Sequence, residues 1–112
     1  MGEHEDRPVL RVLEATRADG TLVLSVQGDV DIATIDTLAG HLDRICERTG
    51  AVTVDLRRVG FLDCLGLRLL VDMHDQATAH GCKVEFVQGP EPVRRMFELT
   101  GTLEHLPFAG TA

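Results

Sequence analysis

The sequence predicts an α/β domain in which helices pack on a sheet of four or five strands. Three observations predict it. Thr21 to Gln27 alternates cleanly, with Leu22, Leu24 and Val26 facing one way and Val23, Ser25 and Gln27 the other. From Ile32 the apolar residues recur at helical spacing, through Ile35, Leu38, Leu42, Ile45 and Cys46, and a second such stripe follows at Leu65, Leu69, Leu70, Met73 and Ala77. Short strand-like runs at Val52 to Leu56 and Lys83 to Val87 lie between the helical stretches. Strands that alternate with helices imply parallel neighbours joined by crossover helices.

In order along the chain, residues 1–8 are polar and read as a loose tail. Val9 to Ala15 alternates weakly, and Asp19-Gly20 is a turn dipeptide before the Thr21 run, so the first two strands read as a hairpin. Gly28-Asp29-Val30-Asp31 breaks the alternation. One helix is expected from Ile32, with Asp31 or Thr34 as its cap and Gly50 closing it as a left-handed residue. Val52 to Leu56 is the expected central strand and ends in a charged bend. The next helix spans about Cys64 to His80 and ends at Gly81. After the Lys83 strand, Pro90 and Pro92 suit the entry to a short helix, because a missing N–H goes unnoticed in the first turn. Val93, Met96 and Phe97 give that helix an inner face, Gly101 stops it, and Leu103 to Phe108 is a short final strand or extended tail. The domain is expected at 9–108, with 109–112 as a C-terminal tail.

Composition bounds the function. A chain of 112 residues is one domain by size. The formal charge of −7 argues against direct nucleic-acid binding and against docking on an anionic membrane surface. No apolar run reaches the roughly 18 residues of a membrane span, and MGEHEDRP has no signal-peptide core, so a cytoplasmic location is expected. Cys46, Cys64 and Cys82 are too scattered for a disulfide framework. His80 and Cys82 lie near His74, but no fourth ligand completes a zinc set, so no metal and no cofactor are expected.

Catalytic motifs are absent: no P-loop, GxGxxG, GxSxG or HExxH occurs. Ser25, the one serine, sits mid-strand, and none of His4, His41, His74, His80 and His105 pairs with a nucleophile along the sequence. Cys64 is the position to weigh. At a helix N-terminus the unpaired N–H groups would favour its thiolate. The plainer reading is a small residue that fits a tight corner. Cys46 and Cys82 read as core. Asp63 is a natural N-cap for the helix. Gly66, a poor helix former, implies the close approach of another backbone, within the fold or from a partner.

These residues carry a resemblance. Val52-Thr53-Val54-Asp55-Leu56, then Arg58-Val59-Gly60-Phe61-Leu62, then Asp63-Cys64-Leu65-Gly66-Leu67 resembles the STAS domain of bacterial anti-sigma factor antagonists. Gly28-Asp29-Val30-Asp31 and Leu99-Thr100-Gly101 are similar to two further motifs of that family, in the same order. The resemblance implies a STAS-type single domain, with a mixed four- to five-stranded sheet and about three to four helices mainly on one side. It implies partner switching rather than catalysis. In that family the antagonist sequesters an anti-sigma factor of the serine-kinase type, which frees a sigma factor, and phosphorylation of a Ser or Thr opening the second helix reverses this. Here that Ser-Ser/Thr pair is replaced by Cys64 and Leu65, neither a target for a serine/threonine kinase. The implied partner surface joins Gly28, Asp29, Asp31 and Thr34 to Asp63, Cys64, Leu65, Gly66 and Arg68. Two alternatives stand beside it: an accessory STAS subunit of a signalling or transporter-associated complex, and a thiol-dependent enzyme, which would need a depressed Cys64 pKa.

Overall fold

The computed structural model describes residues 9–109. The expected tail at 1–8, with His4, and residues 110–112 of the expected C-terminal tail lie outside the described residues. The elements are β1 (Arg11–Thr16), β2 (Leu22–Val30), α1 (Ile35–Leu42), α2 (Ile45–Arg48), β3 (Ala51–Leu62), α3 (Cys64–Ala79), β4 (Lys83–Val87), α4 (Glu91–Leu99) and β5 (Phe108–Ala109). They form an α/β domain with one five-stranded mixed sheet in the order β1-β2-β3-β4-β5. β1 and β2 make the expected antiparallel hairpin. The pairs β2–β3, β3–β4 and β4–β5 are parallel. The final strand is short, but real: Phe108 pairs with Phe86 and Ala109 with Val87.

The strand order explains why the helices share a side. Each parallel step is a crossover, crossovers take one hand, and the strands advance in one direction across the sheet. Every connecting helix therefore falls on the same face. That face is the core: Leu22, Leu24 and Val26 of β2, Val52, Val54 and Leu56 of β3, and Val84 and Phe86 of β4 are all buried. Leu38, Leu70, Met73, Val93 and Phe97 close over them from the helices. On the other pleat, Val23, Ser25 and Gln27 are only half-buried. Among the described residues no helix is long and apolar enough to cross a membrane.

Three expectations are corrected. First, the helix after β2 is not continuous from Ile32. Ile32 is 76% exposed, α1 begins at Ile35, and the helix breaks at Arg44, which takes a left-handed φ of 56°. The break lets Ile45 return to the core and carries Arg48 over β1, where it meets Glu14. Gly50 is not left-handed, whereas Gly81 and Gly101 are. Second, the central strand does not stop at Leu56. Two bulges on β3, between the pairs Ser25–Asp55 and Gln27–Arg58 and between Gly28–Val59 and Asp29–Phe61, each insert a residue. They break the period-two pattern, yet Val59 and Leu62 return to the buried face. Third, Leu65 leaves the buried stripe of α3, and Cys46 is only half-buried, while Cys82 is in the core as expected.

Candidate functional site

β2 and β3 end side by side, with Val30 in register with Leu62. The chains stay stitched one residue further, where the Asp63 N–H donates to the Val30 carbonyl at 3.1 Å. α3 then starts without a linker. Asp63 Oδ1 accepts from the Gly66 N–H at 2.9 Å, and the Leu67 N–H donates to the Asp63 carbonyl at 3.0 Å. Asp63 is thus the N-cap that its sequence position suggests. Gly66 is buried, and its close neighbour lies inside the fold. A Cβ there would stand 2.5 Å from Val30 Cγ1 and 2.7 Å from Leu62 Cδ1. The first turn of α3 rests directly on the ends of both strands because that side chain is missing.

The facing loop is built differently. Gly28 has φ +115°, and a Cβ on it would sit 2.6 Å from the Val9 carbonyl oxygen, so only glycine fits. Asp29 pairs across to Phe61. Asp31 Oδ1 accepts from the Ala33 N–H at 2.9 Å, forming a turn rather than a cap. The Thr34 hydroxyl donates back to the Asp29 carbonyl at 2.7 Å, and the same oxygen accepts from the Asp31 N–H at 3.1 Å. Thr34 is the residue before α1, but its side chain caps nothing there.

Around this frame the exposed side chains are mostly apolar. Cys64 and Leu65 project from the first turn of α3, and Leu65 is 50% exposed. Ile32, two residues beyond Val30, and Phe61, one before Leu62, are also exposed. Neither was singled out from the sequence. Phe61 could have been, because adjacent strand residues point to opposite faces, so Phe61 and Leu62 cannot both be buried in one layer. Arg68 is exposed one turn further on, with Nε 3.8 Å from Asp72. Asp29, Asp31, Thr34 and Asp63 are half-buried, and the Asp29 carbonyl, the Thr34 hydroxyl and the Asp31 and Asp63 carboxylates shape the corner. Of the residues expected at this surface, Cys64, Leu65 and Arg68 face outward, and Gly28, Gly66 and Asp63 act from within.

Acid–base partners for Cys64 are not gathered here. Among the described residues, His41 binds Glu14, His80 binds the Gln76 carbonyl, and His74 and His105 both bind Asp75. A thiol without a neighbouring base lacks the activated pair that nucleophilic catalysis needs. An exposed apolar rim of this kind suits contact with another macromolecule.

Comparison with known proteins agrees with this geometry. A crystal structure of an anti-sigma factor antagonist from Mycobacterium paratuberculosis superposes with a TM-score of 0.80 at 27% identity, covering 91% of this chain and 86% of that one. The unphosphorylated form of the anti-sigma factor antagonist SpoIIAA gives a TM-score of 0.73 at 14% identity, covering 90% of each chain. The phosphorylated form of SpoIIAA, a Bacillus cell fate determinant, gives 0.67 at 16% identity, covering 92% and 93%. At those identities the SpoIIAA likenesses speak for the fold alone. No curated protein matches by sequence. The sequence pattern of the STAS domain matches residues 12–111, nearly the whole length, and the chain belongs to the STAS domain family.

Proposed function

We propose that this protein is a non-enzymatic, cytoplasmic regulator: an anti-sigma factor antagonist that binds an anti-sigma factor of the serine-kinase type through the start of α3 and so frees a sigma factor. The observation that carries the reading is the capped corner at Asp63–Leu67, which leaves Cys64 and Leu65 exposed at the start of α3. The solved structure most similar in sequence among those described above is itself an anti-sigma factor antagonist. A preorganised apolar protrusion loses little entropy on docking, which favours its use as a binding anchor.

Control by phosphate ester is absent from this reading, because Cys64 and Leu65 carry no hydroxyl. Docking is then constitutive, set by partner concentration instead of by a kinase and phosphatase cycle. Among host proteins, capture of a kinase-type anti-sigma factor by the purified chain supports the proposal. Leu65→Asp should weaken that capture by about tenfold or more, since a charge replaces an apolar anchor that docking would bury. Leu99→Asp, at a still more exposed leucine at the end of α4, should leave it unchanged. The reading is lost if no anti-sigma factor is captured, or if both variants bind like the parent.

A further inference from the structure

Away from the corner, the later turns of α3 and the loop after α4 bring three metal-ligating side chains together. His74 Nδ1 lies 2.9 Å from Asp75 Oδ1, and His105 Nε2 lies 2.8 Å from the same oxygen. The ligating atoms of all three residues lie within 4.8 Å of one another. Two imidazole nitrogens converge on one carboxylate oxygen, an arrangement open to two readings. Either each nitrogen presents a proton, or all three groups present lone pairs to a metal ion.

The cluster is held from both sides. His74 is 13% exposed, with its ring centroid 6.4 Å from that of Phe86 and 5.4 Å from that of His105. The loop carrying His105 is fixed by backbone bonds. The Thr102 N–H donates to the Phe97 carbonyl at 3.0 Å, the His105 N–H donates to the Thr102 carbonyl at 3.0 Å, and the next residue, Leu106, is buried.

We propose that His74, Asp75 and His105 form a divalent transition-metal site, with zinc as the fitting ion, that staples the end of α3 to the α4–β5 loop. Two imidazoles and a carboxylate are a zinc-type donor set, whereas magnesium and calcium favour oxygen alone. Tetrahedral zinc with bonds of about 2.1 Å separates its ligand atoms by about 3.4 Å, so the two short contacts need open only by about half an ångström. Asp75 and His105 are each half exposed, which leaves a fourth coordination position to water or to a partner's side chain. The sequence hides this set because His105 lies thirty residues beyond Asp75. The nearer grouping of His74, His80 and Cys82 is not assembled: His80 Nδ1 is bonded to the Gln76 carbonyl, and Cys82 is buried with its thiol toward the Thr49 carbonyl.

The test is calorimetric titration of the full, chelator-treated chain with zinc chloride, its exposed Cys64 alkylated so that this thiol does not compete. The proposal expects one equivalent bound with a Kd below about 10 μM, together with a raised melting temperature. His105→Ala and Asp75→Asn, both at exposed positions, should each weaken binding by about tenfold or more, with the metal-free melting temperature unchanged. His41→Ala, at the separate Glu14 pair, should bind as the parent does. A parent Kd above about 10 μM, or His105→Ala and Asp75→Asn proteins that bind within a few-fold of the parent, would overturn it.

Discussion

Asp31 and Asp63 follow the ends of two neighbouring parallel strands, one residue past the register pair Val30–Leu62, yet they start their helices in different ways. Asp63 caps α3 at once through Gly66. Asp31 closes a turn onto Ala33, and α1 begins only at Ile35. The difference lies three residues on. Gly66 has no side chain, so its N–H drops onto the aspartate while the turn settles against Val30 and Leu62. Thr34 has a hydroxyl, which folds back to the Asp29 carbonyl. The lesson extends along each helix. α3 runs unbroken for 16 residues, while the segment after Asp31 breaks at Arg44 and is tied down from outside by Glu14. One corner is made rigid by its own residues, the other by a neighbour.

The sharpest way to break this contrast is to put a side chain at position 66. Gly66→Ala should destabilise the fold by about 2 kcal/mol, since its Cβ collides with two buried side chains. That is a net figure, after a helix-propensity gain of about 1 kcal/mol. Gly40→Ala supplies the control. Gly40 is also helical, but nothing lies within 4 Å of its missing Cβ, so the propensity gain of about 1 kcal/mol should appear alone. Urea denaturation of both variants measures the pair. Equal signs would mean that Val30 and Leu62 can yield, and that the corner is softer than argued.

Next in size is the cap. Asp63→Ala should cost about 1 kcal/mol, because the Gly66 N–H loses its acceptor at the helix end. Asp31→Ala should cost less, because Thr34 keeps its bonds to the Asp29 carbonyl and the Asp31 backbone. If the two aspartates proved equal in denaturant midpoints, the difference between the helix starts would not reside in capping.

How far the sequence announces these features follows from their range. The β2 alternation and the Asp63-to-Gly66 spacing are local, and both were legible. So was Asp63 as cap, because a carboxylate three residues before an N–H needs no tertiary help. The break at Arg44 was not legible, since left-handed residues announce themselves as glycine or asparagine and Gly50 drew the expectation instead. The bulges in β3 erased the periodicity that would have extended it past Leu56. Ile32 matched a helical stripe by spacing but precedes the helix, so its apolarity faces outward. The meeting of His105 with His74 and Asp75 depends on how the chain returns after α4, which no local pattern encodes.

The broken helix offers a gain where α3 offers a loss. Arg44→Gly should stabilise the protein by about 0.5–1 kcal/mol, because a left-handed arginine is strained by about 1–2 kcal/mol while glycine gives part of that back as chain entropy on folding. Denaturant titration at neutral pH reads this directly. A loss of stability would show that Arg44 contributes more through its pair with Glu47, at 3.3 Å, than its backbone costs.

The outside tie should show itself through pH. Glu14 is held at about 2, well below the usual 4.5, first by the hydrogen bond from Arg48 and then by that from His41. A depressed folded-state pKa contributes stability that is fully present above the unfolded value and is lost as the pH falls through the folded one. The advantage over Glu14→Gln should therefore hold at neutral pH and fade between 4.5 and about 2. For a partly exposed group its size is about 0.5–1 kcal/mol. Melting temperatures of both proteins across that range give the comparison. A constant gap would assign the effect of Glu14 to packing rather than charge.

The smallest expected effect falls at the most exposed point of the rigid corner. Cys64 points outward, while the Asp63 cap and the Gly66 contact use atoms on either side of it. Cys64→Ser should accordingly change stability by less than about 0.5 kcal/mol, leaving the corner intact with a hydroxyl where a thiol stood. On the docking proposal, incubation of that variant with a captured kinase-type anti-sigma factor and ATP should add a phosphate, visible as a mass increment absent from the parent. The first helical turn would favour that anion through its free N–H groups. Bulk and charge at the docking point should then release the partner. If a well-folded Cys64→Ser variant stays unmodified in the presence of a kinase that binds it, then the geometry of α3 alone does not make an acceptor, and Cys64 is not the only determinant lost.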